Sequence, residues 1–286
     1  MKIGFLGAGK VGFSLGQFFV QGGIPVTGYY SRHEGSAQEA AAWTGTKRFD
    51  DVQALVRASD AIFFTVPDGV IPTVCQRLRG LDLAGKQLCH CSGALTARAG
   101  FPGLEDTGAS YYSIHPLFPI SDKYAVWREL SGAFFCLEGE GPHLSWWQDT
   151  LTGLGARVRL VPSAEKAAYH TACAMASNLV CALVQESVIL LSRCGFSQQE
   201  ALDALTPLMR ANLDHLCQVG PREALTGPVE RGDHTTVAKH LACLPAGPGR
   251  RLYRAASQIL ADLAREKHPD VDYQPVTDIL KEGSNP

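Results

Sequence analysis

The chain has 286 residues, of which 45% are apolar, and a formal net charge of −2. That length suits two domains, or one large domain with an extension, and the apolar fraction is ample for a packed core. The near-neutral charge offers no basic field to nucleic acid or an anionic membrane. No stretch reaches eighteen uninterrupted apolar residues, so no membrane partner is expected.

The N-terminal half alternates short apolar strands with helical stretches, which predicts a mostly parallel sheet. Strands are predicted over 2–6, 25–30, 61–66, 87–91, 111–114, 133–137 and 157–160, and helices over 10–21, 35–43, 51–57 and 69–78. The first strand runs into Gly7-Ala8-Gly9-Lys10-Val11-Gly12 and leaves as Phe13-Ser14-Leu15, which is G-x-G-x-x-G at a strand-to-helix joint. In a dinucleotide fold Gly7 permits the tight turn, Gly9 lets the backbone approach a pyrophosphate, and Gly12 lets helix and strand pack. The helix start adds free N–H groups and a positive dipole end. A plain glycine turn, or another nucleotide-like ligand such as S-adenosylmethionine, remains open on these residues alone.

The next strand, Pro25 to Tyr30, is followed by Ser31-Arg32-His33. NAD-selective folds carry an Asp or Glu there for the ribose hydroxyls. Ser31 can hydrogen-bond a 2′-phosphate and the Arg32 guanidinium can pair with it, so NADP is expected over NAD. Further strands end in Thr65-Val66-Pro67-Asp68 and in Cys91-Ser92-Gly93. Ligands of open α/β sheets sit beyond the carboxyl ends of strands, which places Thr65, Val66, Pro67, Asp68, Ser92 and Gly93 beside the cofactor.

Nine cysteines are scattered through apolar segments. Cys89-His90-Cys91 lies on a strand whose alternate residues point to opposite faces, which is poor metal geometry, so no metal is expected. Free thiols in a reducing compartment, and no signal-peptide pattern at the N-terminus, lead to the expectation of a soluble cytoplasmic protein.

After Pro162 the character changes. Residues 163–194 read as one long helix spanning roughly 50 Å at about 1.5 Å per residue. It is apolar on most sides, so burial in a helical domain or a subunit interface is expected. Ser197 to Glu200 is a capping box for a helix over 198–217. Asp233 can cap another over 234–244, a further helix covers 249–266, and the tail from 281 is expected to be disordered. The predicted architecture is α/β, a Rossmann-type mostly parallel sheet over 1–160, followed by an all-helical substrate or dimerisation domain over 161–286.

Hydride transfer to a carbonyl or imine needs a proton donor, so clustered titratable groups are the candidates. Lys166 and His170 are four apart on one helix face. Asn178 follows two turns beyond, rotated by about 80°. His115, in Ile114-His115-Pro116, follows a strand and is aimed by the proline. Arg231, in the turn-rich Leu225 to Asp233 loop, can grip a substrate carboxylate or pair with Glu230 or Asp233.

These pieces together resemble the family that joins a Rossmann-like domain to a DUF2520 domain. They are the glycine fingerprint, Val66-Pro67-Asp68, Cys91-Ser92-Gly93, His115-Pro116-Leu117, Tyr169-His170 with Asn178, and Thr226-Gly227-Pro228 to Arg231-Gly232-Asp233. The family is similar to the wider 6-phosphogluconate-dehydrogenase-like superfamily, with its pyrroline-5-carboxylate, ketopantoate and 3-hydroxyisobutyrate reductases or dehydrogenases. The resemblance implies a nicotinamide-binding domain, a helical second domain and a homodimer built through the helices. It names no substrate. In 3-hydroxyacid dehydrogenases the active-site lysine is followed four residues later by Asn, where this chain has His170. His115-Pro116-Leu117 is similar to the His-Pro-Met of prephenate dehydrogenases, with Pro119 where a glycine usually follows. The expectation is an NADP-dependent oxidoreductase of a small, carboxylate-bearing carbonyl, hydroxy or imine compound. His170 and Lys166 would serve proton transfer and polarisation, Asn178 would orient, and His115 would be a second-domain contact. A non-catalytic NADP(H) sensor or scaffold, or F420 chemistry, are the alternatives.

Overall fold

The structure, a computed structural model, describes residues 1–281; the tail expectation falls almost wholly on 282–286 and lies outside them. Contacts divide the chain into two compact units, Met1–Met175 and Ala176–Pro286. Residues 161–175, which the sequence reading put with the helices, therefore pack with the sheet.

Among the described residues eight strands form one sheet: β1 (Ile3–Leu6), β2 (Val26–Tyr30), β3 (Lys47–Arg48), β4 (Ala61–Phe64), β5 (Gln87–His90), β6 (Ser110–Leu117), β7 (Phe134–Glu140) and β8 (Arg157–Leu160). The order is β3-β2-β1-β4-β5-β6-β7-β8. From β3 to β6 every pair is parallel, β7 runs antiparallel to β6, and β8 is parallel to β7. The order reverses between β1 and β4, the crevice where such sheets bind ligands.

Both faces of the central strands are buried, so they read as continuous apolar runs rather than alternating ones. Ile3, Phe5, Ala61 and Phe63 join one core. Their neighbours Leu6, Ile62 and Phe64 point to the other face and a second core. Helix α1 (Lys10–Gln21) follows β1 as expected, and α2 (Glu34–Thr44), α3 (Val52–Ala58) and α4 (Ile71–Leu78) connect the next strands. Helix α5 (Leu144–Gly153), which the sequence reading missed, buries Trp147, whose indole donates to Gln87 Oε1 at 2.7 Å.

The long helix is two. α6 (Lys166–Ala176) stops before Ser177, whose φ −123° and ψ −73° leave the helical basin, and α7 (Asn178–Arg193) begins after it. Ser and Asn side chains compete with helical backbone bonding, and no glycine or proline announces the break. Nor is the segment buried within the chain: Lys166 is the buried described residue of α6 and Val188 that of α7. Among the described residues, Ser163–Arg193 is long and apolar enough to cross a membrane by length and composition; that likeness is compositional.

The second unit continues with α8 (Gln198–Val219), α9 (Pro221–Ala224), α10 (His234–Cys243), α11 (Pro248–Lys267) and α12 (Gln274–Lys281). The capping box forms as read, with Ser197 accepting from the Glu200 N–H and Glu200 from the Ser197 N–H. Asp233 caps α10 through the Thr236 N–H at 3.0 Å. A small core joins Val229, Val237, Leu241, Ala261, Val276 and Leu280.

Candidate functional site

Two features share the carboxyl edge of the sheet unit. The first is a cavity of about 310 Å³ at the ends of β1, β2 and β4. Its floor is the glycine turn. Gly7 has φ +112°, and a side chain there would strike Thr65 O at 2.6 Å; at Gly12 it would meet Thr65 Oγ1 at 2.4 Å and Gly7 O at 2.6 Å. Thr65 Oγ1 donates to Gly7 O at 2.8 Å and locks the turn to β4. Above Gly9 nothing lies within 4 Å. Two glycines thus shape the turn and the third leaves open space, the arrangement that lets a phosphate-bearing ligand reach backbone N–H groups.

Of the expected cofactor residues, Gly7, Ala8, Gly9, Ser31, Arg32, Thr65, Val66 and Pro67 line this cavity. Lys10 is exposed beside it, Val11 packs toward the core, and Gly12 sits behind the turn. The sequence reading missed Tyr30, His33, Ser36, Thr73 and Arg77, which also line it. Arg77, on α4, donates from Nη1 to the Tyr30 hydroxyl at 3.1 Å. Among the described residues no carboxylate lines the cavity, so Arg32 and Arg77 face it without a fixed counter-charge.

Asp68, Ser92 and Gly93 belong to the second feature, a polar cluster at the ends of β5 and β6. Ser92 Oγ donates to Asp68 Oδ2 at 2.7 Å and accepts from the N–H groups of Ala94 and Leu95, which fixes the loop after β5. His90, fully buried, accepts the Ser92 N–H on Nδ1 at 3.2 Å and donates from Nε2 to Thr96 O at 3.1 Å. Its burial holds the imidazole down to about 4.

Lys166 enters from α6 and is 1% exposed. Its Nζ donates to Ser113 Oγ at 2.7 Å and to Ser92 O at 3.4 Å. Burial pushes this lysine below its ordinary value, opposed by the charge of Glu138. Lys166, expected as a proton-transfer and polarising group, lies buried beneath the loop.

Gly93 is where two imidazoles meet. A side chain there would lie 2.6 Å from His170 Cδ2 and 2.9 Å from His115 Nε2. The rings are edge to face with centroids 6.2 Å apart. His115 Nδ1 is 2.6 Å from the Tyr169 hydroxyl. Burial, then the Lys166 ammonium and His170, hold His115 down to about 4. His170 is exposed. The structure therefore joins His115, His170 and Lys166, which the sequence reading named separately, and adds Tyr169 and Ser113.

Asn178 opens α7 in the second unit, so it does not share one unbroken helix with His170. Arg231 is exposed in that unit. Asp233 caps α10 and also feels the Arg231 charge, and Glu230 accepts from His268 at 2.7 Å. No hydrogen bond of the Arg231 side chain is found among the described residues.

Residues 2–91 match the family model of NADP oxidoreductases, coenzyme F420-dependent. Residues 133–259 match that of DUF2520, a domain of unknown function. Among solved structures, a Thermotoga maritima protein is 26% identical over 93% of this chain and 99% of its own, with a TM-score of 0.73. A reductive aminase from Aspergillus terreus, solved with NADPH and ethyl-5-oxohexanoate, is 14% identical over 98% and 92%, with a TM-score of 0.60. An NADH-preferring ketol-acid reductoisomerase from an uncultured archean is 15% identical over 97% and 92%, with a TM-score of 0.66. The last two likenesses are of fold.

Proposed function

We propose, for a chain that joins an NADP oxidoreductase-like domain to a DUF2520 domain, that it is an NADP-dependent oxidoreductase. Its substrate is a small carbonyl, hydroxy or imine compound bearing a carboxylate. The observation that carries this reading is the cavity at the sheet's switch point, open above Gly9 and lined by two arginines with no carboxylate among the described residues. The Gly7 to Gly12 turn and the first turn of α1 would hold a pyrophosphate. Ser31, Arg32 and Arg77 would hold a 2′-phosphate, for which planar guanidinium groups suit. Bound there, the reduced nucleotide supplies two electrons for carbonyl or imine reduction.

The chain's own groups do the rest. His170, exposed beside Gly93, exchanges the proton with the substrate's oxygen or nitrogen. His115 contacts the substrate from β6. Ser92, pinned by Asp68, keeps the loop between them in place.

The test is nucleotide affinity. Wild type should bind NADPH at least about tenfold more tightly than NADH, a difference of about 1.4 kcal/mol. Arg32→Ala and Arg77→Ala should each shrink that ratio. Equal affinities in wild type, unchanged in both variants, contradict the assignment.

We also propose a homodimer through the helices. On α7 and α8 Leu179, Leu183, Ile189, Leu208 and Leu213 are 45–66% exposed. A groove of about 600 Å³ between α7, α8 and α11 is lined mostly by leucine, valine and methionine. Apolar surface of this kind marks a contact site, and a second copy of the same patch is self-complementary about a two-fold axis. Light scattering should give twice the chain mass for wild type, and a monomer for a Leu183→Asp, Leu208→Asp variant. A monomeric wild type contradicts the dimer.

A further inference from the structure

We infer that Tyr169 is a positioning residue that fixes His115 as the Nε2–H tautomer, so that a hydrogen-bond donor, not a base, stands beside Gly93. This rests on the reading of the Gly93 cluster as the substrate site. It gives His115 a chemical role and makes Tyr169 the residue that sets it.

The Tyr169 hydroxyl has one proton and three neighbours: His115 Nδ1 at 2.6 Å, and the thiols of Cys136 and Cys173. Thiol sulfur is a weak acceptor and a weak donor, whereas an imidazole nitrogen accepts strongly and a phenol donates strongly. The arrangement that uses every strength sends the phenol proton to Nδ1 and points the thiol protons at the phenol oxygen. The reverse arrangement, Nδ1–H to the phenol and phenol to sulfur, exchanges a strong bond for a weak one. Burial pushes the Tyr169 hydroxyl well above its ordinary value, so its proton stays available to donate.

With Nδ1 occupied as an acceptor, the ring's own hydrogen sits on Nε2. That atom lies 2.9 Å from where a Gly93 Cβ would stand. A second proton is opposed from several sides. The groups around the ring are Lys166, Tyr169 and His170 on α6, His90 on β5, Cys136 on β7, and Asp68 after β4. Lys166, His170 and His90 disfavour the cation, and Asp68 alone favours it. A neutral imidazole N–H can polarise a carbonyl without giving up its proton. Proton exchange is then left to His170. The substrate class narrows accordingly: the group meeting His115 must be an acceptor, a carbonyl or carboxylate oxygen or a neutral imine nitrogen, and an ammonium there is rejected.

The experiment is long-range nitrogen-15 to proton correlation on the full chain labelled at histidine, near neutral pH, with His115→Asn used to identify the His115 signals. Wild type should give the Nε2–H pattern for His115. Tyr169→Phe keeps the ring and removes the hydroxyl, and should give a mixture of tautomers. NADPH affinity measured on the same samples should not change, so failure of the nucleotide reading is seen separately. An Nδ1–H pattern in wild type overturns the inference. So does an Nε2–H pattern that persists in Tyr169→Phe. If Tyr169→Phe does not fold, the wild-type tautomer still decides, and Cys136→Ala, which spares the phenol, should preserve it.

Discussion

The Lys166 ammonium donates to the Ser113 hydroxyl at 2.7 Å from a side chain that is 1% exposed. A buried cation without a direct ion pair is costly, and here hydrogen bonds to Ser113 and Ser92 O compensate it. Its charge is felt at His115, where it is the second cause, after burial, of the ring's reluctance to protonate.

Lys166→Met keeps much of the volume and removes the charge. The His115 imidazole should then titrate at higher pH than the value of about 4 it has in the native chain. An NMR titration of His115 in both proteins measures this. An unchanged midpoint would show that burial alone sets it.

Stability should fall as pH drops from about 6.5 to 4. His90 and His115 are both held down to about 4, against an ordinary value near 6.5. In that window the unfolded chain binds more protons than the folded one, so lowering pH favours unfolding. Each histidine contributes a slope of up to about 1.4 kcal/mol per pH unit. His90 has the clearer cause, since its Nδ1 already accepts the Ser92 N–H. Urea unfolding at stepped pH checks it; a flat profile between 6.5 and 4.5 contradicts the burial account.

The glycines of the turn should separate by role. Gly12→Ala drives a methyl to 2.4 Å from Thr65 Oγ1, an overpacking that costs about 1–3 kcal/mol. Gly9→Ala meets nothing within 4 Å, so thermal stability should hold while NADPH affinity drops. Denaturant melts and NADPH titrations of both variants distinguish the two roles. Equal affinity in Gly9→Ala and wild type would remove the cradle.

Gly93→Ala places a methyl against both imidazoles. Its φ is not in the left-handed region, so the backbone tolerates alanine. The expected result is a folded protein with unchanged NADPH affinity, shifted His115 and His170 resonances, and at least about tenfold lower turnover, the scale of a displaced acid–base group. Full turnover would place the chemistry away from Gly93.

What the sequence disclosed followed from local signals. Helix α1 begins at Lys10 and ends at Gln21, as the run after the glycine turn predicts, and the Ser197 and Asp233 caps are visible because capping is local. Strand β3 could not be read: Lys47 and Arg48 carry no apolar pattern, and only pairing with β2 makes them a strand. The break at Ser177 was hidden inside an apolar helical run. In the candidate site, Gly7 to Gly12, Ser31 and Arg32 were legible as contiguous motifs. Arg77 was not, because α4 carries it to the cavity through tertiary packing. Tyr169 and His115 are 54 residues apart, and no local pattern links them. The burial of Lys166 was likewise invisible, since its place four residues before His170 says nothing about depth.

We propose that this chain transfers reducing equivalents from NADPH to a small carbonyl or imine acid. Anaerobic incubation of NADPH-loaded protein with a library of such compounds, following loss of reduced-nicotinamide absorbance, tests it most directly. The account predicts turnover with at least one carboxylate-bearing carbonyl or imine, reduced at least about a hundredfold in His170→Ala. Tight NADPH binding with no oxidation by any compound, or equal rates in His170→Ala, would contradict it.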